Sequence, residues 1–217
     1  MNRSDAEILW EVASVLARDA AKVSRADGRT RPAPPPILFF TDPDRTPCPW
    51  ETAARLPAGS GVIYRSFGAP DARDTALRLR EATRARGVRL LIGLDADLAE
   101  TCGADGVHLP ERALDQAEAL SAARPDWLLT GAAHDRAALG RCGGLDAAVV
   151  SPVFPAGGAS ADRPALGVET LTHWIADAPC PVIALGGMTT KNARSLIGSG
   201  ACGLAGVAAI QSAFGPD

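Results

Sequence analysis

Residues 103–109 read GADGVHL, and two later stretches repeat the grammar: GGLDAAVVSPVF at 143–154 and GACGLAGVAAI at 200–210. In each, a turn of small residues leads into a short run that is apolar throughout and stops at a polar or very small residue. A strand with one wet face alternates apolar with polar; a run that does not alternate fits a strand buried on both faces, as in a parallel sheet. Runs of this kind occur at 37–41, 61–65, 89–93, 106–109, 127–131, 147–151, 182–186 and 203–207. Helical spacing fills intervals at 71–86, 113–123, 136–141, 168–176 and 190–199. Eight such units predict an α/β fold of the closed (β/α)8 TIM barrel type. An open doubly wound sheet would carry G-x-G-x-x-G after its first strand, and here that position reads TDPDRTP (41–47).

Ahead of the barrel, residues 4–23 place Ile8, Leu9, Val12, Val15, Leu16, Ala20 and Val23 at helical spacing, with Ser4 and Glu7 three apart as a capping box. The spacing predicts an extra N-terminal amphipathic helix. RADGRTRPAPPP (25–36) then reads as an extended connector, so residues 1–36 form helix and connector and residues 37–217 the barrel.

The chain has 217 residues, 47% hydrophobic and 22% charged, enough for one full core. A formal net charge of -3 offers no basic surface for nucleic acid or an anionic membrane. No apolar run approaches the ~20 residues that span a bilayer, and the N-terminus lacks a signal-peptide core, so a cytoplasmic location is expected. The five cysteines include no C-x-x-C pair and read as free thiols.

Barrel chemistry lies at the C-terminal ends of the strands. That rule selects Thr41 and Asp42, Arg65, Asp95, His108, His134, Ser151, Gly186 with Gly187, and Gly206 to Ala208. Gly186 and Gly187, followed by Thr189 as an N-cap, suit a phosphate because glycine lets a ligand reach backbone N–H groups. Gly206, Val207 and Ala208 supply a second such turn, and both turns also fit plain tight packing. His134 fits a general acid/base or a turn residue near its helix, while His108, among small and apolar neighbours, fits a buried structural role. Arg65 is the cation placed to meet an anionic ligand, with Ser151 as a further substrate contact. The loop 155–167 reads as a lid or a plain connector.

Across residues 37–210 the sequence resembles the family of thiamine phosphate synthase and TenI-type thiazole tautomerase. The carriers are ILFFTD (37–42), GADGVHL (103–109), AVVSPVFP (148–155) with ALG (165–167), CPVIALGGMTTKNA (180–193) and GACGLAGVAAI (200–210). The resemblance implies a (β/α)8 barrel that binds a thiazole phosphate or related small phosphorylated ligand, with a homo-oligomer left open. It also exposes departures. Phe67 stands where the synthases carry a lysine, Gly93 and Leu94 where they read Asn-Asp, and Ala113 at the second metal-binding position. Ala132 and Ala208 replace serines, and AGGAS (156–160) replaces a lid bearing Thr and Lys. Losing the metal carboxylates and the lid cations favours the metal-independent tautomerase, with His134 as the catalytic residue and neither metal nor cofactor. The alternative is a divergent Mg2+-dependent synthase drawing on Asp42, Asp95 or Glu111. A third reading is a non-catalytic binding or sensor barrel whose N-terminal helix meets another protein.

Overall fold

The computed structural model describes residues 3–21, 33–158 and 161–216, so most of the Pro-rich connector lies outside the described residues. Eight parallel strands close a barrel in sequence order: β1 (Ile37–Phe40), β2 (Gly61–Tyr64), β3 (Arg89–Gly93), β4 (Gly106–Leu109), β5 (Leu128–Ala133), β6 (Ala147–Val150), β7 (Val182–Ala184) and β8 (Gly203–Gly206). Closure comes from β1 pairing with both β2 and β8, Leu38 opposite Gly61 and Ile37 opposite Leu204.

Successive side chains of a strand point to opposite faces, and both faces are covered. In ILFF, Leu38 and Phe40 join Ile63, Leu91, Val149, Ile183 and Ala205 inside the barrel. Ile37 and Phe39 face the other way and pack with Val62, Leu90, Val107 and the helices. The unbroken apolar runs follow from this two-sided burial.

The small-residue turns have their own logic. The Asp105 carboxylate, just before β4, accepts a hydrogen bond from the Leu90 N–H of β3 at 2.7 Å, and also meets Arg80 at 2.7 Å. Asp146, just before β6, accepts from the Leu129 N–H of β5 at 2.7 Å. Each aspartate thereby ties the incoming strand to its neighbour. Beside Asp105, Gly106 has no room for a side chain, because a Cβ would stand 1.9 Å from the Leu128 carbonyl oxygen.

The outer layer contains α1 (Asp5–Ala21), α2 (Pro49–Ala53), α3 (Ala72–Arg86), α4 (Ala96–Cys102), α5 (Ala117–Ala123), α6 (Arg136–Gly140), α7 (Gly167–Ala176) and α8 (Ala208–Phe214). The predicted capping box opens α1: Ser4 N–H donates to the Glu7 carboxylate at 2.8 Å and Glu7 N–H to Ser4 Oγ at 3.3 Å. Leu9, Val12, Ala13 and Leu16 bury its apolar face.

The helix read over 190–199 does not form as such. Thr189 and Asn192 cap each other, Thr189 N–H to Asn192 Oδ1 at 2.8 Å and Asn192 N–H to Thr189 Oγ1 at 3.2 Å. Beyond them stands one short 3-10 turn, Ala193–Leu196. Gly198 and Gly200, with φ of 88° and 87°, end it before an apolar stripe can develop. A turn this short leaves part of the barrel wall open, and α1 packs there, against β8, α8 and the 193–196 turn. The apolar face offered to a partner protein in the sensor reading is therefore occupied within the fold.

Among the described residues, none of the five cysteines is in a disulfide. Burial raises the Cys102 thiol and pushes Cys142 up to about 11, which keeps both inert. Among the described residues no helix is long and apolar enough to cross a membrane.

Candidate active site

A cavity of about 720 Å³ opens at the C-terminal ends of the strands, within the range of small-molecule sites. Its floor is Phe40, His108, Val149 and Leu185, from β1, β4, β6 and the residue after β7. His108 is buried, with Nδ1 2.9 Å from Thr130 Oγ1 and its ring edge-on to Phe40 at 5.1 Å. Burial first, then the charges of Arg65 and His134, push its pKa down to about 3. The imidazole therefore stays neutral, which agrees with a structural role and leaves a neutral polar group in the floor.

Arg65, just past β2, stands between two rings, its guanidinium 5.4 Å from the centroid of Phe40 and 5.2 Å from that of Phe67. Its Nε–H donates to the Thr41 carbonyl at 2.8 Å, tying β1 to β2. One terminal nitrogen lies 3.7 Å from the Asp42 carboxylate, too long for a hydrogen bond, and has no other partner among the described residues. Burial lowers the pKa of this arginine, with Asp42 opposing the shift.

Phe67 and Leu94 form a lip on the β2 and β3 loops, 69% and 38% exposed, so they rim the mouth and do not plug it. Both hold a left-handed backbone, φ 48° and 66°, which costs of order 1 kcal/mol for residues with side chains.

On the far side, His134 Nδ1 lies 3.1 Å from both Ser151 Oγ and the Ser151 carbonyl oxygen. One tautomer donates to that carbonyl, and the other accepts from the Ser151 hydroxyl. The His134 backbone N–H donates to the Glu111 carboxylate at 2.9 Å, while Asp135 caps α6 by accepting from Ala138 N–H at 2.7 Å. His134 is thus released from capping, and both it and Ser151 line the cavity.

Two charged lining residues were not singled out from the sequence: Arg112, after β4, and Arg163, in the loop after β6. Both are exposed, and neither forms an ion pair among the described residues. The 155–167 loop therefore delivers a cation to the mouth, although residues 159–160 lie outside the described residues.

The structure places the phosphate candidates beside the cavity and not in its lining. A Cβ on Gly186 would stand 2.7 Å from Pro152 Cα, and one on Gly187 would stand 2.3 Å from the Pro155 carbonyl oxygen. Close packing against the β6 loop is thus sufficient reason for both glycines. The expected helix dipole behind them is also missing, since the 3-10 turn replaces the helix. The ends of β7 and β8 are adjacent, with Val207 half-buried and Ala208 exposed at the start of α8.

Comparison with known proteins bears on this arrangement. The family model described as thiamine monophosphate synthase matches residues 47–210. The chain belongs to that family. A thiamine-phosphate synthase of Chlorobium luteolum is 31% identical over 192 residues, covering 86% of this chain and 90% of the relative. Another, from Methanoculleus marisnigri, is 32% identical over 164 residues, covering 72% of this chain and 78% of the relative. Among solved structures, thiamine phosphate pyrophosphorylase from Pyrococcus furiosus superimposes with a TM-score of 0.70 at 22% identity, covering 82% of this chain and 91% of that one, a likeness of fold. These relatives are named as synthases, which moves the weight from the tautomerase reading to the synthase alternative.

Synthases of the thiamine monophosphate synthase family usually depend on Mg2+. The donor set here does not fit that ion. At the positions where the resemblance implies metal ligands stand Leu94 and Ala113, and neither has a donor side chain. Asp42 bonds Arg45 at 2.8 Å, and that bond is the main reason its carboxyl lies below the usual range. Asp95 caps α4 through Leu98 N–H at 2.8 Å, and Glu111 holds His134. Among the described residues no three His, Cys, Asp or Glu side chains converge on a metal position.

Proposed function

We propose that this chain is a divergent thiamine phosphate synthase, joining a pyrimidine diphosphate to a thiazole phosphate at the barrel mouth. The observation that carries this reading is a cavity with apolar ring surfaces on one side and Arg65, Arg112 and Arg163 around it. Such a site suits two phosphorylated heterocycles. In the reaction the pyrimidine methylene C–O bond to diphosphate breaks, the thiazole nitrogen forms the new C–N bond, and diphosphate leaves with the electron pair. Cations stabilise the departing diphosphate, the kind of charge development that preorganised sites stabilise most strongly. Phe67 and Phe40 offer ring faces, and a pyrimidine laid on Phe67 would sit beside Arg65. Gly186, Gly187, Gly206, Val207 and Ala208 are proposed to hold the thiazole phosphate through backbone N–H groups, with Ser151 orienting the ring.

A second reading, the metal-independent tautomerase, is favoured by one observation: His134 is held through Ser151 and Glu111 in a mouth where no metal-binding carboxylate set stands among the described residues. One experiment separates the two. The purified protein is incubated with thiazole phosphate carboxylate alone, and with thiazole phosphate plus pyrimidine diphosphate, and products are resolved by chromatography. Thiamine phosphate from the pair supports the synthase. Isomerisation of the thiazole alone, abolished in His134→Ala with phosphate-ligand affinity retained, supports the tautomerase, and full rate in that variant removes His134 from the chemistry.

A further inference from the structure

The cavity lining carries three arginines, Arg65, Arg112 and Arg163, and one carboxylate, Asp95. Three positive charges and one negative line the cavity, with Asp42 3.7 Å from Arg65 outside the lining, in a chain whose formal net charge is -3. The excess of positive charge is therefore a property of the lining and not of the surface at large. Asp95 is held as the cap of α4, accepting from Leu98 N–H at 2.8 Å. Each arginine comes from a different loop, after β2, β4 and β6, so the guanidinium groups ring the opening. Arg65 is fixed between two aromatic rings, with one nitrogen lacking a hydrogen-bond acceptor among the described residues. Arg112 and Arg163 have no protein carboxylate partner among the described residues.

We infer that the mouth captures the diphosphate of an ester directly on Arg65, Arg112 and Arg163, without a bridging divalent cation. A guanidinium presents paired N–H donors that match two phosphate oxygens, so several of them can neutralise a diphosphate as a metal ion would. The anion also supplies the acceptors these side chains lack. This deepens the synthase reading, on which it rests for the identity of the ester, but the binding claim can be tested apart from catalysis.

The probe is inorganic diphosphate, titrated calorimetrically into the full chain with EDTA present and again with excess Mg2+, with inorganic phosphate as a weaker comparison anion. The inference expects binding in EDTA with an affinity within about twofold of that in Mg2+. Arg112→Gln and Arg163→Gln each weaken it about tenfold, the loss of one charge-assisted contact. Arg86→Gln, at the far end of α3, leaves it unchanged. Arg65 is not used, because its side chain also ties β1 to β2. Binding that appears only with Mg2+, or persists undiminished in the Arg112→Gln/Arg163→Gln double variant, overturns the inference, as does absence of binding in both buffers. Diphosphate binding in EDTA without any thiamine phosphate formation would sink the synthase reading alone; thiamine phosphate formation together with diphosphate binding that appears only with Mg2+ would sink this one alone.

Discussion

Acidification should destabilise this protein through one buried imidazole. His108 titrates at about 3 in the fold against an ordinary value of 6.5. Between those values the unfolded chain binds a proton that the folded chain refuses, so stability is complete above 6.5 and falls with pH until the folded value is reached. Linkage gives a loss of about 2 kcal/mol at about pH 5 and about 3 kcal/mol at about pH 4, relative to neutral pH. The test is urea denaturation of the chain and of His108→Gln at a series of pH values. The variant starts less stable, having lost the Phe40 contact, yet should lose about 2 kcal/mol less on going from neutral to about pH 5. With three histidines in the chain, the imidazole protons can also be followed by NMR. Parallel pH profiles for the two proteins, or a His108 resonance that titrates near 6.5, would refute the argument.

Two further outcomes follow from the mouth. Asp95→Ala should cost about 1 kcal/mol in urea, the usual value of a lost N-cap, and leave any Mg2+ response of the coupling assay unchanged; loss of that response with stability intact would make Asp95 a metal ligand. Phe67→Gly should gain about 1 kcal/mol by relieving the left-handed backbone, because the exposed ring buries little, while weakening pyrimidine diphosphate binding. A fall in stability beyond about 1 kcal/mol, seen in the same titrations, would show that the ring over Arg65 holds the fold.

The strands could be read from the sequence because two-sided burial leaves an unmistakable mark: β1, β3 and β6 show no polar residue at all between Ile37 and Phe40, Leu90 and Ile92, or Ala147 and Val150. The capping box of α1 was equally plain, since it depends on two residues three apart. The region after β7 was misread because Thr189 and Asn192 are good cap residues whether or not a helix follows. Arg112 and Arg163 escaped notice for another reason. Charged residues in loops ordinarily face solvent, and residues 51 positions apart meet at one mouth only once the barrel has closed. Phe67 and Leu94 ran against local preference too, since nothing in their neighbours announces a left-handed backbone.

The seat of α1 also sets an order of events. The helix nearest one end of the chain rests on β8, the strand nearest the other, and β8 in turn is the neighbour that closes β1. Contacts between such distant segments form slowly, because the whole intervening chain must first be gathered. During synthesis, then, the apolar face of α1 waits for the last strand to arrive. Leu9, Val12 and Leu16 gain their cover only once that strand is in place.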